Sequence, residues 1–505
     1  MSEDGKNDWA EASIVKDLNY LRTGVKEYDG KKVYYSTGSI KDDSINSEGS
    51  YTYSDRPSRA NRVGQIGDIF QARMKDTDKA VLINDSLKEQ LFSTGFFQIR
   101  TDPKTLLPKY LFHYFKSFVF LNQKDSNCSG STQSALNDKS AQKLSVPIAP
   151  IPIQRAIVSK IEELFSDLDE GIADLKKAKD QLKVYRQAVL KKAFEGEFTR
   201  EWRENHPTKT SPIDLLFEIK EEREKLYQQR LEEWKMAVFH WENEGSIGKK
   251  PSKPKSSKTS PPIQPVDLKD RQVLPSGWQW SKLDHCSSVI VDCPHSTPKW
   301  SDTGFICLRT TNFFRDQLDL NEVRYVSKET YIQRTERLKP KRNDILYSRE
   351  GGILGISCIL DTDEAVCLGQ RMMLIRIGQN CSPKYFSYYL NSPNILSLVN
   401  SLITGCAAPH INVGDVKNYI IPLSSTEEQH KIVREIESRL SVCDKVEESI
   451  KESLEKAGAL RQSILKKAFE GKLLSAEEVA KCKQHKDYEP ASVLLERIKK
   501  EKKKR

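Results

Sequence analysis

The sequence predicts an α+β fold: two α/β domains in tandem, each followed by a long α-helix, with the two helices pairing as an antiparallel coiled coil. Three observations carry that expectation. The nonapeptide LKKAFEGEF at 190–198 returns as LKKAFEGKL at 465–473. The segment before each copy is a mixture of short apolar runs broken by Gly, Asn, Asp and Ser. Between that mixed segment and the nonapeptide, apolar residues recur every seven positions, the mark of a helix–helix seam.

The repeat extends well past the nonapeptide. At the same spacing Gln154, Ile157, Val158, Ile161 and Glu162 meet Gln429, Ile432, Val433, Ile436 and Glu437. PKYLFHYF (108–115) meets PKYFSYYL (383–390), VPIAP (146–150) meets IPLSS (421–425), and GDIF (67–70) meets NDIL (343–346) after a one-residue slip. A period this long denotes two copies of a domain-sized unit, not a solenoid.

Taken in order, VYYSTGSI (33–40), IFQARM (69–74) and AVLIN (80–84) read as strands of the first copy. In the second copy FICLRT (305–310), DILYS (344–348), GISCIL (355–360) and MMLIRI (372–377) read as strands as well. The PKY segments read as short helices. Pro152 and the pair Ser425 and Thr426 mark the starts of the long helices. The seam runs Ile161, Leu168, Leu175, Leu182, Val189 and then Ile436, Cys443, Ile450, Ala457, Ile464. Leu164, Ala178 and Tyr185 suit a second seam position, and Gly171 does not. Some 40 residues at about 1.5 Å each give a helix of about 60 Å, which needs a partner face. The other copy's helix is the nearest partner; packing on the helix's own domain or on another protein is the alternative. Glu195–Gly196 and Glu470–Gly471 end the helices.

The resulting division is a first domain over 1–151, a long helix over 152–198, and a charged helix with a Pro/Lys-rich linker over 199–273. A second domain (274–424), a second long helix (425–473) and a basic tail (474–505) follow. SVLLERIKKEKKKR in the tail echoes IDLLFEIKEEREK of the charged helix.

Formal net charge is +10, which favours an anionic partner, nucleic acid above all, or simply aids solubility. No apolar run reaches membrane-spanning length and the first residues show no apolar leader, so a cytoplasmic protein is expected. Ten cysteines without a CxxC do not suggest a disulfide framework. HCSSVIVDCPH (285–295) matches no zinc spacing, and Cys286 and Cys293 read as core or turn residues. No GxxxxGK[ST] loop is present, and GGILG (351–355) lacks the strand-to-helix setting of a dinucleotide loop. Neither Asn-Pro-Pro-aromatic nor Asp-Pro-Pro-Tyr occurs, which argues against an amino-methyltransferase centre.

The order domain, helix, domain, helix resembles the specificity subunit of a Type I restriction–modification enzyme. In the second copy the resemblance lies in LPSGWQWSKL (274–283), TGFICLRTTNF, RLKPKRNDILYSREGGILG, VKNYIIPLSSTEEQHKIVREIESRL and LRQSILKKAFEGKLL, in that order. The first copy lacks the LPxGW opening, with only Trp9 hinting at it, and has no GGILG equivalent. The resemblance implies that each domain is a target recognition domain reading one half of a split, asymmetric DNA sequence. The helix pair would set the spacer and dock two methyltransferase (modification) subunits carrying S-adenosylmethionine. Restriction (translocase–nuclease) subunits would bring ATP and Mg, and this chain would itself carry no cofactor, metal or catalysis. A basic coiled-coil scaffold binding DNA without sequence preference is the alternative.

Readout needs side chains that reach base edges, and phosphate clamping needs Arg, Lys, hydroxyls or backbone N–H groups. In the second domain the candidates are Ser348, Arg349, Gly351 and Gly352 after the DIL strand, with His295, Thr297, Lys299, Thr310, Thr311, Asn312 and His410 on loops. In the first they are Arg73, which aligns with Arg349, Lys75, Ser36, Thr37, Ser39 and Gln133. An intradomain ion pair is the competing role for the two arginines, and a satisfied turn for Gln133 and His410. On the helices Arg186, Lys191, Lys192 and Phe194 repeat as Arg461, Lys466, Lys467 and Phe469. These would hold the helix ends together or bind a methyltransferase subunit.

Overall fold

A computed structural model describes residues 8–41, 44–130, 134–206, 210–245, 250–254, 259–269, 271–351, 354–403 and 409–504. The polypeptide divides into two compact units: Met1–Ala178 with Ser449–Arg505, and Lys179–Glu448. Neither unit is one sequence copy, because each contains pieces of both long helices.

In the first unit Ala10–Ser13 pairs antiparallel with Ser145–Ile148. One four-stranded sheet runs Gly49–Tyr51, Lys32–Tyr35, Leu91–Ser93, Ala60–Val63; the other runs Asn19–Leu21, Phe96–Arg100, Asp68–Ala72, Ala80–Leu82. The strand reading of 33–40 stops early, since Thr37–Ser39 is a 3-10 turn. Pro108 opens the helix Pro108–Phe115, whose fixed φ suits a first turn. This helix sends Tyr110, Leu111, Tyr114 and Phe115 into a core with Ile69, Phe97 and Ile99. The same core takes Ile153, Ile157 and Ile161 from the start of the first long helix, Ile151–Phe194. It also takes Ile464, Leu465, Ala468 and Phe469 from the end of the second, Thr426–Phe469. The tail echo is a packed element too: in Ala491–Lys504, Leu494, Leu495 and Ile498 are buried in this core.

The second unit repeats the plan. Gln279–Lys282 pairs antiparallel with Ile420–Leu423. Its sheets run Ser287–Asp292, Met372–Ile377, Ile345–Ser348, Ser357–Ile359 and Trp300–Ser301, Arg324–Val326, Phe305–Leu308, Val366–Leu368. Tyr385, Phe386, Tyr389 and Leu390 of the helix Pro383–Leu390 meet Leu190, Ala193 and Phe194 of the first long helix and Ile432, Val433 and Ile436 of the second. The charged helix Pro212–Asn243, capped by Ser211, buries Leu215 and Ile219 in this core, as Leu494 and Ile498 do in the other. It comes so close that a Cβ on Gly378 would lie 2.3 Å from Ile219 Cγ1, so glycine is required there.

The helix pairing follows the heptad reading. Ile436, Cys443, Ile450, Ala457 and Ile464 are all buried. In the second unit Lys179 lies 3.9 Å from Glu447 and Arg186 2.7 Å from Asp444, so one helix ascends as the other descends. In the first unit Ile153 and Ile157 lie beside Ala468 and Gly471, while Phe165 and Asp169 meet Arg461. The second seam position differs from the sequence reading at one point, Tyr185. Tyr185 is exposed, and the inward residues are Ile172 and Arg186, one place further on. Gly171 is exposed because it was never a seam residue.

The repeated glutamines close the junction between domain and helix. Gln154 Oε1 accepts from Leu107 N at 2.9 Å and its Nε2 donates to the Ala149 carbonyl at 2.8 Å. Gln429 makes the same pair of bonds, to Ser382 N and the Ser424 carbonyl, each at 2.9 Å. Burying an amide costs free energy unless donors and acceptors are matched, and both are.

Candidate nucleic-acid interface

Arg349 lies inside the second domain, where it ties four chain segments together. Its Nε and one terminal nitrogen donate to the two carboxylate oxygens of Asp292 at 2.8 and 2.9 Å. Its other terminal nitrogen donates to the Ile411 carbonyl at 3.1 Å. Its backbone N–H donates to the Arg371 carbonyl, and its own carbonyl accepts from Ile411 N. Burial alone would make this guanidinium easier to deprotonate; the bidentate Asp292 contact more than offsets that and holds its pKa above the usual value.

Arg73 does the same work in the first domain. It donates to the Leu136 carbonyl at 3.1 Å, the counterpart of the Ile411 bond, and to Asp138 and the Tyr20 hydroxyl, each at 2.7 Å. Leu136 N returns a bond to the Arg73 carbonyl. The one-residue slip therefore aligned true equivalents. In this structure their guanidinium groups are occupied by internal carboxylates and carbonyls, the intradomain role that competed with DNA contact in the sequence reading, and there they shape the surrounding loops.

Other candidates separate by exposure. Ser348 is fully buried in its strand, and Asn312 is buried where its side chain donates to the Asp319 and Glu322 carbonyls. Ser39 is also buried, capping the turn that begins at Ser36. Ser36 Oγ contacts the Glu48 carboxylate, and the Thr37 carbonyl accepts from Lys79 Nζ at 2.9 Å. The side chains of Ser348, Asn312 and Ser39 are thus turned into the domain and away from its surface. Lys75, Thr297, Lys299 and Thr311 are exposed, and Thr310 is half-buried. His295 is exposed beside Asp292 at 3.0 Å. His410 is exposed and bridges to Glu350. Gly351 has φ +94°, open to glycine at no steric cost. Gln133 and Gly352 lie outside the described residues.

On the helices Arg186 bonds Asp444 and Glu447, at 2.7 and 3.2 Å, and Arg461 bonds Asp169 while lying over the Phe165 ring. Phe194 and Phe469 are 1% exposed. These four hold the helix ends within each unit, the first of the two roles read from the sequence. Lys191, Lys192, Lys466 and Lys467 are exposed.

The sequence reading missed Asp292, Asp138 and Tyr20, the anchors of the two arginines. Only their three-dimensional approach marks them, because they lie 57, 65 and 53 residues away in the chain. Cys286 and Cys293 are buried, as expected of core residues. Among the described residues no cluster of three or more metal-ligating side chains occurs and no helix is long and apolar enough to cross a membrane.

A family model described as Type I restriction modification DNA specificity domain matches residues 2–178 and 294–456. The chain is 25% identical over 397 residues to the Type I restriction enzyme EcoBI specificity subunit of Escherichia coli, covering 77% of this chain and 71% of that one. It is 23% identical over 416 residues to the EcoKI specificity subunit of Escherichia coli strain K12, covering 81% and 74%. A chain from a solved structure described as "Structural basis underlying complex assembly and conformational transition of the type I R-M system" shares the fold, with a TM-score of 0.63 over 92% of this chain and 99% of that chain at 19% identity.

Proposed function

Because the chain belongs to the Type I restriction modification DNA specificity family, we propose that it is the DNA sequence-specificity subunit of a restriction–modification complex. Its two recognition domains bind the two halves of a split, asymmetric DNA site. The helix pair sets the number of unread base pairs between them, and helical phase makes that number exacting. The exposed Lys191, Lys192, Lys466 and Lys467 dock two methyltransferase subunits. Those subunits bring S-adenosylmethionine, and restriction subunits bring ATP and Mg; this chain performs no catalysis. It works in the cytoplasm of a prokaryotic cell.

The observation that carries the reading is the family match together with two domains alike in plan and unlike in surface loops. Exposed Lys75 in one and Thr297, Lys299 and Thr311 in the other suit phosphate or base contact. Two unlike readers imply two unlike half-sites. Methylated adenines mapped genome-wide, with and without this chain, test it. Loss of one bipartite motif with dissimilar halves is expected. Random-pool selection that returns no sequence preference would favour a non-specific basic scaffold instead.

A further inference from the structure

The corner Gly369–Gln370–Arg371 carries the second domain from the strand Val366–Leu368 of one sheet to Met372–Ile377 of the other. It is pinned along its length. Gly369 N donates to the Leu308 carbonyl at 2.7 Å, Gln370 Nε2 donates to the His295 carbonyl, and the Arg371 carbonyl accepts from Arg349 N at 3.1 Å. Arg371 has φ +70°, in the left-handed region. Glycine sits there freely, whereas a Cβ crowds the following carbonyl.

The Arg371 side chain is exposed. Other arginines of the second domain have occupied guanidinium groups: Arg334 by the carbonyls of Leu368, Ser296 and Pro294, Arg376 by Asp344, Arg342 by Asp361 and Asp363. Among the described residues no carboxylate pairs with Arg371. A Cβ on Gly351 would lie 3.4 Å from its Nη1, so bare backbone and guanidinium share one piece of surface. The loops of His295, Gly351 and His410 meet there, joined through the internal bonds of Arg349. A strained backbone that glycine would relax, carrying an arginine whose charge the fold does not use, points to a ligand. Its parallel N–H donors match the paired acceptors O6 and N7 of guanine, the usual arginine contact in the major groove.

We propose that Arg371 is a base-reading side chain of the second domain and binds the O6 and N7 edge of a guanine in that domain's half-site. The proposal rests on the specificity-subunit reading above.

The test uses the full-length chain, purified with the subunits that accompany it, and the DNA site the wild type selects from a random pool. Arg371→Gly is expected to lower affinity for that site by about 10- to 100-fold. Replacing one guanine by adenine should weaken the wild type by the same factor and leave the variant unaffected. Arg371→Lys should lose the same preference despite keeping its charge. The melting temperature of Arg371→Gly should hold or rise. The proposal is overturned by an equal loss on all sequences with a shallower salt dependence, which denotes a phosphate contact. It is likewise overturned by unchanged binding, or by a lower melting temperature, which denotes a fold-supporting side chain. If the wild type selects no split motif, the specificity reading fails and takes this proposal with it. If the motif appears and Arg371→Gly still reads it fully, only the present proposal falls.

Discussion

Phe194 stands edge-on to Tyr389, with ring centroids 4.9 Å apart and planes at 78°. Phe469 meets Tyr114 in the same way at 5.0 Å and 73°. Tyr385 and Tyr110 complete each pocket, at 5.1 and 5.2 Å. This explains why LKKAFEG is written twice. Each copy's phenylalanine fills the aromatic pocket made by the PKY helix of the other copy, and a side chain that must fit such a pocket tolerates little change.

Phe469→Ala should cost the first unit about 3–5 kcal/mol, the usual cost of emptying a buried aromatic site. Hydrogen exchange should quicken across residues 108–115 while residues 383–390 keep their protection. Phe194→Ala should give the reverse pattern. Loss spread evenly over both PKY helices would contradict the assignment of each phenylalanine to one pocket.

Arg349→Ala removes the bidentate partner of half-buried Asp292 and the bond to the Ile411 carbonyl, and should lower stability by about 2–3 kcal/mol in urea unfolding. Lys299→Ala, on an exposed loop, should stay within about 0.5 kcal/mol of the wild type. A mild Arg349→Ala phenotype would show that the four loops hold together without it.

The two units should answer pH in opposite directions. Burial lowers the His113 pKa to about 4, so the folded state holds fewer protons than the unfolded one between pH 4 and 6.5. The stability of the first unit should therefore be full above about pH 6.5 and decline by about 3 kcal/mol as pH falls to 4. Burial raises Asp316 to about 7, against the pull of Asn391, so here the folded state holds the extra proton between pH 4 and 7. The second unit should lose stability as pH rises through that window. Asp316→Asn should stabilise it at pH 8 by about 2 kcal/mol and have little effect at pH 4. Unfolding curves read separately for each unit by hydrogen exchange at pH 4.5, 6 and 8 will check both signs.

The double variant Lys191→Glu and Lys466→Glu should fold normally, since among the described residues the ion pairs it removes are the 3.9 Å contacts to Glu195 and Glu470 on the same helix. Co-purification of methyltransferase subunits should fall several-fold, measured at low and at 0.3 M salt. Intact assembly would remove these lysines from the docking surface.

Much of the architecture was legible because period and punctuation are local. A seven-residue seam, a proline at a first turn and a glycine after a last turn are each set by a few adjacent residues. The second seam position was misread at Tyr185 because a helix turns 3.6 residues, so steps of three and four alternate in a real seam. The site was less legible. Arg73 and Arg349 announce themselves by chemistry, yet whether an arginine points outward depends on carboxylates more than fifty residues away. Arg371 escaped notice because nothing in GQR signals a left-handed backbone; that conformation is imposed by the corner between two sheets.

By itself, then, the amino-acid order determined that a domain and a helix occur twice, where each helix begins and ends, and which face of it is apolar. Only the tertiary structure decided that each domain is completed by the far end of the other copy's helix and by the charged or basic helix beyond it. The reason is physical: two near-identical helix ends and two near-identical pockets allow either pairing on composition alone. The antiparallel seam, with Arg186 on Asp444 and Arg461 on Asp169, selects between them.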